Sequence, residues 1–373
     1  MKIAVLAHIR HAIAQPFSGG MESHCDMLCR ALRAAGHEVV LFAAGGSQDA
    51  ALVPICDAPY ERVLPWHVYR GSSELSAYQR TAFEKVMLTI AAGDFDVVHN
   101  NSLYPSIIDW MAEAGVPCVT SQHVPPFGAM SDAVLRNISL PHAGFTVTSH
   151  NQRELWAERG CAQVGVVPNG VDTQLWSPTP DRGDYFTWTG RIVPNKGLAE
   201  AVRAARIAGV KLRIYGPIED AAYFATSVEP LLSNGIEFHG HRSIEGLAGE
   251  VARAKGALVT PLWDEPFGLV AAEALSCGTP VVGFDRGALR EVVGDCGVLV
   301  EGGDIAALAR AIAQADVIDR AACRERAVTS LSVDAMIAGY EEAYAAVIAG
   351  ARLAALPRLS WSSSFSSTQA LLA

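Results

Sequence analysis

Two glutamates frame a short apolar segment in WDEPFGLVAAEAL, where Glu265 and Glu273 stand eight positions apart. If the whole segment were helical, eight residues would rise about 12 Å. The paired carboxyl groups of a retaining glycoside hydrolase lie only ~5–5.5 Å apart. The spacing therefore does not suit an acid–base pair, and it favours two carboxylates that bind separate hydroxyl-bearing ends of one extended ligand.

The residues between the two glutamates predict an anion site. Pro266 suits the first position of a helix, and Gly268 lets a ligand approach bare backbone. The amides around Phe267, Gly268 and Leu269 would then form a helix N-terminus, which attracts negative charge. A sugar, a diphosphate and a ribose joined in that order fit this arrangement, with the phosphates over the helix start.

Two cations follow a strand pattern earlier in the second half of the chain. Arg191 and Lys196 stand in TGRIVPNKG, on the loop between a predicted strand and the next helix. A cation pair at the carboxyl end of a strand suits a diphosphate. Either residue alone is more often a solvated surface charge, but together they predict a phosphate site.

The elements that would position these residues are short β-branched runs that alternate with helical patterns, as in parallel α/β sheets. The predicted strands are 2–9, 38–44, 96–100, 117–123 and 144–150 in the first half, and 185–191, 211–216, 236–240, 256–262, 280–284 and 297–301 in the second. Ligands of open α/β sheets bind at the carboxyl ends of the strands. Two doubly wound sheets that face each other would therefore bring their loops to one cleft.

Length and composition divide the chain into two domains and a tail. With 373 residues, half of them hydrophobic, the chain can form two cores. Pro, Gly, Asn and Asp cluster in 164–184, so we predict an N-terminal Rossmann-like domain over 1–165 and a C-terminal one over 166–333. A helix over 334–356 is expected to pack back on the N-terminal domain, and the Ser-rich segment 357–373 is expected to be disordered.

Charge, cysteine spacing and hydropathy exclude several classes of function. A formal net charge of −10 argues against nucleic acid as the partner and against an anionic membrane surface. The eight cysteines include no Cys-x-x-Cys pair, and Cys25 and Cys29 are predicted to be buried rather than to bind a metal. There is no apolar run of about 18 residues and no signal-peptide pattern, which predicts a cytoplasmic protein without stable membrane insertion.

The sequence resembles the family-4 retaining glycosyltransferases, which have the GT-B fold. EPFGLVAAE resembles the E-x7-E motif of that family, and TGRIVPNKG (189–197) its Arg/Lys phosphate loop. GGMESH (19–24) is similar to the family's Gly-Gly loop, VVPNGVD (166–172) to its linker motif, and GTPVVGFDRGALREVV (278–293) to the segment that follows E-x7-E. The resemblance extends over roughly 1–350 and implies two Rossmann-like doubly wound domains that face an interdomain cleft.

The resemblance also implies a reaction and roles for four charged residues. Glu273 would bind the ribose hydroxyls, Glu265 would contact the hydroxyls of the transferred sugar, and Arg191 and Lys196 would neutralise the diphosphate. The implied activity moves a hexose-type sugar from a nucleoside-diphosphate sugar, UDP-sugar before GDP-sugar, to an acceptor hydroxyl with retention at the anomeric carbon. The departing phosphate would accept the proton of the acceptor.

Further donor contacts are implied on both sides of the cleft. The helix start at Phe267, Gly268 and Leu269 would approach the phosphates from the second domain. The loop at Gly19 and Gly20 would approach them from the first domain. Bare backbone at these positions leaves room for the ligand.

Four other polar residues are candidates for the site. His123 in SQHVPPF matches the family's histidine near the donor sugar, although a single histidine at a strand end is often structural. Arg242 in GHRS lies where such enzymes contact the base. Glu22 and His24 suit helix capping or packing as well as they suit ligand binding.

The acceptor, whether a small molecule, a saccharide or a lipid-linked compound, is expected to bind the first domain, among loops within 45–75 and 124–143. These loops carry aromatic and sulfur-containing side chains that suit either a binding surface or ordinary packing: Trp66, His67, Tyr69, Phe127 and Met130.

No cofactor is expected, and no metal, because Asp94 and Asp96 precede a strand rather than follow one. A GT-B-fold epimerase or hydrolase of nucleotide sugars, or a non-catalytic nucleotide-sugar-binding protein, remains an alternative function. A dehydrogenase is disfavoured because no Gly-x-Gly-x-x-Gly follows either opening strand.

Overall fold

A computed structural model describes residues 1–355, so the Ser-rich segment 357–373 and its predicted disorder lie outside the described residues. The first half of the chain forms a seven-stranded parallel sheet with the strand order β3-β2-β1-β4-β5-β6-β7. Its strands are β1 (Lys2–Ala7), β2 (Glu38–Ala44), β3 (Leu52–Cys56), β4 (Val97–Asn101), β5 (Cys118–Gln122), β6 (Ala143–Val147) and β7 (Gly165–Val166).

The second half forms a six-stranded parallel sheet with the order β10-β9-β8-β11-β12-β13. Its strands are β8 (Phe186–Thr189), β9 (Leu212–Tyr215), β10 (Ile236–Phe238), β11 (Gly256–Val259), β12 (Val281–Phe284) and β13 (Gly297–Val300). Both sheets reverse their strand order beside the first strand, as doubly wound sheets do. The predicted α/β class with two doubly wound units is confirmed.

Helices cover both faces of each sheet. In the first half they are α1 (Gly20–Ala34), α2 (Tyr60–Val63), α3 (Trp66–Tyr69), α4 (Ser73–Ala92), α5 (Pro105–Glu113), α6 (Gly128–Asn137) and α7 (His150–Glu158). In the second half they are α8 (Leu198–Ala208), α9 (Ala221–Tyr223), α10 (Ile244–Arg253), α11 (Leu269–Ser276), α12 (Leu289–Val293), α13 (Ile305–Ile312), α14 (Arg320–Ser330) and α15 (Val333–Ala355). Short 3-10 turns lie at Pro194–Lys196, Glu229–Leu231 and Ala315–Val317, and a π turn at Phe224–Val228.

All eleven predicted strands are present, and the sequence missed two short ones. The segment 45–75, expected to be loop, contains β3, α2 and α3, and the segment 124–143 contains α6. β3 includes Pro54, and proline is found in sheets mainly on edge strands, which is where β3 lies. β7 has only two residues, too few to show an alternating pattern.

Side-chain caps mark where several of these helices begin. Ser72 caps α4 by accepting a hydrogen bond from the Leu75 amide (3.1 Å), and Ser149 caps α7 in the same way through the Gln152 amide (3.1 Å). Asp304 caps α13 through the Ala307 amide (2.8 Å). Side-chain caps of this kind satisfy amides that have no partner within the helix.

The last described helix returns from the second domain to the first. α15 packs against α1 and the first sheet, where Tyr340 and Tyr344 are fully buried. The Tyr344 hydroxyl is hydrogen-bonded to His99 Nδ1 on β4. At the far end, Gly350 touches the segment before β6, because a Cβ on Gly350 would lie 1.8 Å from the Pro141 carbonyl oxygen.

We predict that Gly350→Ala weakens the docking of α15 on the first domain. The added methyl group has no room and must push the helix from Pro141, which should lower the free energy of unfolding by about 1–3 kcal/mol. Urea unfolding followed by circular dichroism measures this change. Gly128→Ala is the matched control, because a Cβ on Gly128 meets nothing within 4 Å. Equal stability of the two variants would contradict the close contact.

Candidate active site

One large cleft of about 1030 Å³ lies between the carboxyl ends of the two sheets. Every catalytic or donor-binding residue predicted from the sequence lines it. From the first domain these are Gly19, Gly20 and His123, and from the second Arg191, Lys196, Arg242, Glu265, Phe267, Gly268, Leu269 and Glu273. Residues separated by more than 200 positions in the sequence thus meet around a single space.

Two helix N-termini, one from each domain, meet in this cleft. Neither α1, preceded by Gly19, nor α11, preceded by Gly268, has a side-chain cap within the described part of the chain. A Cβ on Gly20 would lie 3.2 Å from Leu269 Cδ1, so the two helix starts almost touch. The open amides and the helix dipoles make this junction favourable for an anion.

The helix after the first glutamate begins later than the sequence predicted. Pro266 is not the first helical residue, because Gly268 has φ +91°, a left-handed conformation that cannot continue a helix, and α11 starts at Leu269. The first domain instead holds the Pro266 carbonyl, which accepts hydrogen bonds from Thr148 Oγ1 (2.9 Å) and Ser149 Oγ (2.8 Å). Glu273 is therefore about one turn into the helix rather than two.

Lys196 and Glu265 contact each other directly. Lys196 Nζ donates to Glu265 Oε2 at 2.7 Å. The same oxygen accepts from Trp263 Nε1 at 2.8 Å, and Lys196 Nζ lies 5.1 Å from the centre of the Trp263 ring. The sequence analysis missed Trp263, although its position two residues before Glu265 was a usable signal.

Backbone contacts hold Lys196 at this place. It ends the 3-10 turn after β8, and Gly197 then takes φ +67°. A Cβ on Gly197 would lie 1.9 Å from the Thr260 carbonyl oxygen at the end of β11, so only glycine lets the two loops approach so closely. Thr260 Oγ1 also donates to the Gly197 carbonyl at 2.8 Å.

Glu273 differs from the other carboxylates of the cleft. Its side chain has no hydrogen-bond or ion-pair partner among the described residues. Burial raises the pKa of Glu273 from 4.5 to about 8. An unpartnered carboxyl group in an apolar wall is costly to ionise, and such groups cluster at binding sites.

Arg191 is paired with a carboxylate that the sequence analysis did not single out. Arg191 Nη1 donates to Glu219 Oε2 at 2.7 Å, and Arg10 Nη2 from the first domain donates to Glu219 Oε1 at 3.0 Å. Glu219 stands in YGPIED, just after β9. An acidic residue at the end of a strand next to the cation loop was the available signal, since the strand ends of a parallel sheet share one edge.

His123 follows β5 and is only 9% exposed, at the wall of the cleft. Its Nε2 lies 3.0 Å from Asn101 Oδ1, so this nitrogen carries the proton that the amide oxygen accepts. His24 packs against its ring with a centroid distance of 4.4 Å. Burial, and then the neighbouring His24 and His8, hold the pKa of His123 well below its ordinary value, so the imidazole is neutral.

Glu22 and His24, both on α1, lie in different environments. Glu22 lines the cleft and lies 3.3 Å from His8 Nε2. Burial favours the neutral form of Glu22, but the neighbouring His8 lowers its pKa to about 2. His24 is 2% exposed and packs between His123 and Tyr340, so it is a core residue behind the cleft.

Some of the residues expected at an acceptor surface line the cleft, and others do not. Trp66 and Phe127 line the first-domain side of the cleft. His67 and Tyr69 do not, and Met130 is buried in the core under α6. Arg242 is exposed at the opposite side of the opening.

Within residues 1–355, no three or more His, Cys, Asp or Glu side chains are arranged to hold a metal ion. The part of the chain that the structure describes also contains no helix with the length and hydropathy needed to cross a bilayer.

Comparison with known proteins assigns both halves of the chain to glycosyltransferase models. Residues 18–175 match the model of Glycosyltransferase Family 4, and residues 183–315 match that of Glycosyl transferases group 1. Together these segments cover most of the chain.

Two curated relatives and one solved structure illustrate the similarity. The chain is 28% identical to the D-inositol 3-phosphate glycosyltransferase of Mycolicibacterium smegmatis, over 92% of this chain and 91% of the relative. It is 29% identical to the phosphatidyl-myo-inositol mannosyltransferase of Mycobacterium leprae, over 79% of this chain and 83% of the relative. The crystal structure of Anabaena HepE in complex with UDP-glucose superposes with a TM-score of 0.70 at 18% identity, over 92% of this chain and 99% of that one. The predicted GT-B fold is confirmed.

We predict that Glu273 makes the stability of the chain fall with rising pH. Its pKa is about 8 in the folded chain and about 4.5 in the unfolded one, so the unfolded chain loses the proton first. The free energy of unfolding that this group contributes is therefore fully present below pH 4.5 and is lost as the pH rises through 8.

Glu273→Gln should remove this loss, because glutamine stays neutral. Relative to wild type, the variant should gain stability between pH 5 and pH 8 in urea unfolding. Glu301→Gln is the control, since Glu301 is exposed and does not line the cleft. A difference from wild type that is the same at both pH values would show that Glu273 is already ionised in the folded chain.

Proposed function

This chain belongs to glycosyltransferase family 4, and on that basis we propose that it moves a hexose-type sugar from a nucleoside-diphosphate sugar to an acceptor hydroxyl, with retention and without a metal ion. One observation carries the proposal. The bare N-termini of α1 and α11 meet in the cleft beside Arg191 and Lys196, which gathers positive potential at one point. A diphosphate is the ligand group that such a site suits.

The donor would extend along the wall of the second domain. Its diphosphate would lie at the junction of the two helix starts, within reach of Arg191 and Lys196. Glu273, one turn inside α11, would bind the ribose hydroxyls, and Glu265 the hydroxyls of the sugar. Arg242 would lie near the base. We expect a UDP-sugar first and a GDP-sugar second.

The chemical step would depend on stabilising the leaving group. The bond between the anomeric carbon and the diphosphate oxygen breaks, and its electron pair stays on the diphosphate. The acceptor oxygen bonds to the same face of the anomeric carbon, and its proton passes to the departing phosphate. Arg191, Lys196 and the helix N-termini lie where the negative charge develops, so their contacts strengthen in the transition state.

The acceptor would bind on the first-domain side, between Trp66 and Phe127. Aromatic faces of this kind suit the apolar face of a ring. The names of the two relatives make inositol phosphate and phosphatidylinositol the first acceptors to test. His123, neutral and held by Asn101, would contact the donor sugar.

The direct test is transfer in the presence of a chelator. The purified chain is incubated with UDP- and GDP-hexoses and the inositol acceptors, with EDTA throughout, and products are identified by mass spectrometry and by the anomeric proton coupling in NMR. The expected result is a product with the donor's anomeric configuration. Free sugar or an epimer formed without acceptor would instead indicate the hydrolase or epimerase. Activity that needs added magnesium or manganese would contradict metal independence.

We predict that two variants weaken donor binding and a third mainly slows turnover. Lys196→Ala removes a charge-assisted contact and should cost about 1.5–3 kcal/mol of binding free energy by calorimetry with the nucleoside diphosphate. Glu273→Ala removes the hydrogen bonds of a largely neutral carboxyl group and should cost about 0.5–1.5 kcal/mol in the same measurement. Arg191→Ala should lower kcat more than donor affinity, because its contact strengthens in the transition state.

Lys211→Ala and Glu301→Ala are the matched controls, as neither residue lines the cleft. They should retain wild-type values. Wild-type kinetics in the Lys196, Glu273 and Arg191 variants would show that these residues do not bind the donor.

A further inference from the structure

Glu219 is fixed opposite Arg191 by the backbone. The loops after β8 and β9 run side by side, since the Ile192 amide donates to the Pro217 carbonyl (2.9 Å) and the Asp220 amide to the Ile192 carbonyl (3.1 Å). A Cβ on Gly216 would lie 1.8 Å from the carbonyl oxygen of Gly190, so the loops could not approach with any larger residue there. The neighbours Arg191 and Glu219 are thereby held at hydrogen-bond distance.

Glu219 also joins the two domains. One carboxylate oxygen accepts from Arg191 Nη1 at 2.7 Å, and the other accepts from Arg10 Nη2 at 3.0 Å. Arg10 donates in turn through Nε to Glu61 at 2.8 Å. The result is a row of alternating charges, Arg191, Glu219, Arg10 and Glu61, that runs from the second domain into the first.

Two of the four residues of the row line the cleft, and the row is only partly open to water. Arg10 and Arg191 line the cleft, and the side chains of Arg10, Glu219 and Arg191 are 23%, 30% and 32% exposed. Burial favours the neutral acid, but the charges of Arg191 and Arg10 lower the pKa of Glu219 below its ordinary value. Glu219 is therefore an anion at neutral pH.

Arg191 also stands close to the loop at the start of α1. A Cβ on Gly19 would lie 3.5 Å from both Cδ and Nε of Arg191. Glu22 Oε2 lies 3.2 Å from the same Cβ position, so Arg191 stands beside a helix start that already has one carboxylate, and its guanidinium is paired with Glu219. A phosphate that arrives at this helix start must compete with Glu219 for the same cation.

We propose that Glu219 is an internal substitute for the phosphate of the donor: it holds Arg191, and is itself held by Arg10 of the first domain, until the diphosphate displaces it. This inference rests on the proposed function, because it takes the diphosphate as the ligand of Arg191. Donor binding then replaces the Glu219 carboxylate on Arg191 by a phosphate and weakens the Arg10–Glu219 contact, which is one of several contacts between the domains. Glu219 is a positioning residue whose charge lowers the affinity for the donor.

The test compares the binding of UDP and GDP, and of uridine and guanosine, to wild type and to Glu219→Gln by calorimetry without metal. Removing the competing charge from a partly exposed pair should lower the Kd of the nucleoside diphosphate by about fivefold. The nucleosides lack phosphates and should bind both proteins equally. The gain should shrink in high salt, because the competition is electrostatic. Glu301→Gln, which removes the same charge outside the cleft, should behave as wild type.

Arg10→Gln provides a change of opposite sign. Without Arg10, Glu219 bonds to Arg191 alone and competes more strongly with the phosphate, so the Kd of the diphosphate should rise. This rise should vanish in the double variant that also contains Glu219→Gln. If Glu219→Gln does not fold, as judged by thermal unfolding, Arg10→Gln decides alone, and an unchanged or lower Kd overturns the inference.

The outcomes separate this inference from the proposed function. Suppose that wild type binds the diphosphate and transfers sugar, but Glu219→Gln binds the diphosphate equally or more weakly. This result overturns only the role of Glu219. Wild type that binds no nucleoside diphosphate overturns both.

Discussion

Positive charge gathered in the cleft must be balanced when no ligand is present, and this constraint explains the arrangement of the site. Two uncapped helix N-termini, Arg191 and Lys196 face one space. Glu219 and Glu265 each lie 2.7 Å from one of these cations. Each of these two cations is thus already paired with a carboxylate, and a third carboxylate, Glu22, stands in the first turn of α1.

The order of the strands decides which carboxylate meets which cation. β8 lies between β9 and β11 in the second sheet, and the cation loop leaves its carboxyl end. Glu219 follows β9 on one side, and Glu265 follows β11 on the other. Arg191 therefore pairs with Glu219, after β9, and Lys196 pairs with Glu265, after β11. Glycines at the loop contacts, Gly216 and Gly197, let both pairs form by removing the side chain that would separate the backbones.

The sequence was sufficient for eleven of the strands and for the motif residues that line the cleft, because β-branched runs and motif spacing are local patterns. It was insufficient where the outcome depends on neighbours in space. Glu219 and Arg10 are 209 positions apart, and no pattern within either segment predicts that they meet. Pro266 was wrongly placed in the helix because the left-handed backbone of Gly268 is set by the packing of its loop and not by helix propensity. The edge strand β3 was missed because proline weakens its pattern.

Glu273 differs from the paired carboxylates because it has no cation partner among the described residues and is largely neutral. Because burial raises its pKa to about 8, it is largely protonated at neutral pH and adds little negative charge beside the phosphate site. A protonated carboxyl group can donate one hydrogen bond and accept others, so it can still bind a pair of ribose hydroxyls. An ionised Glu273 would repel the nearby diphosphate of a donor, whereas the neutral acid does not. A half-buried carboxyl group on α11 without a cation therefore suits the proposed binding of sugar hydroxyls next to an anion.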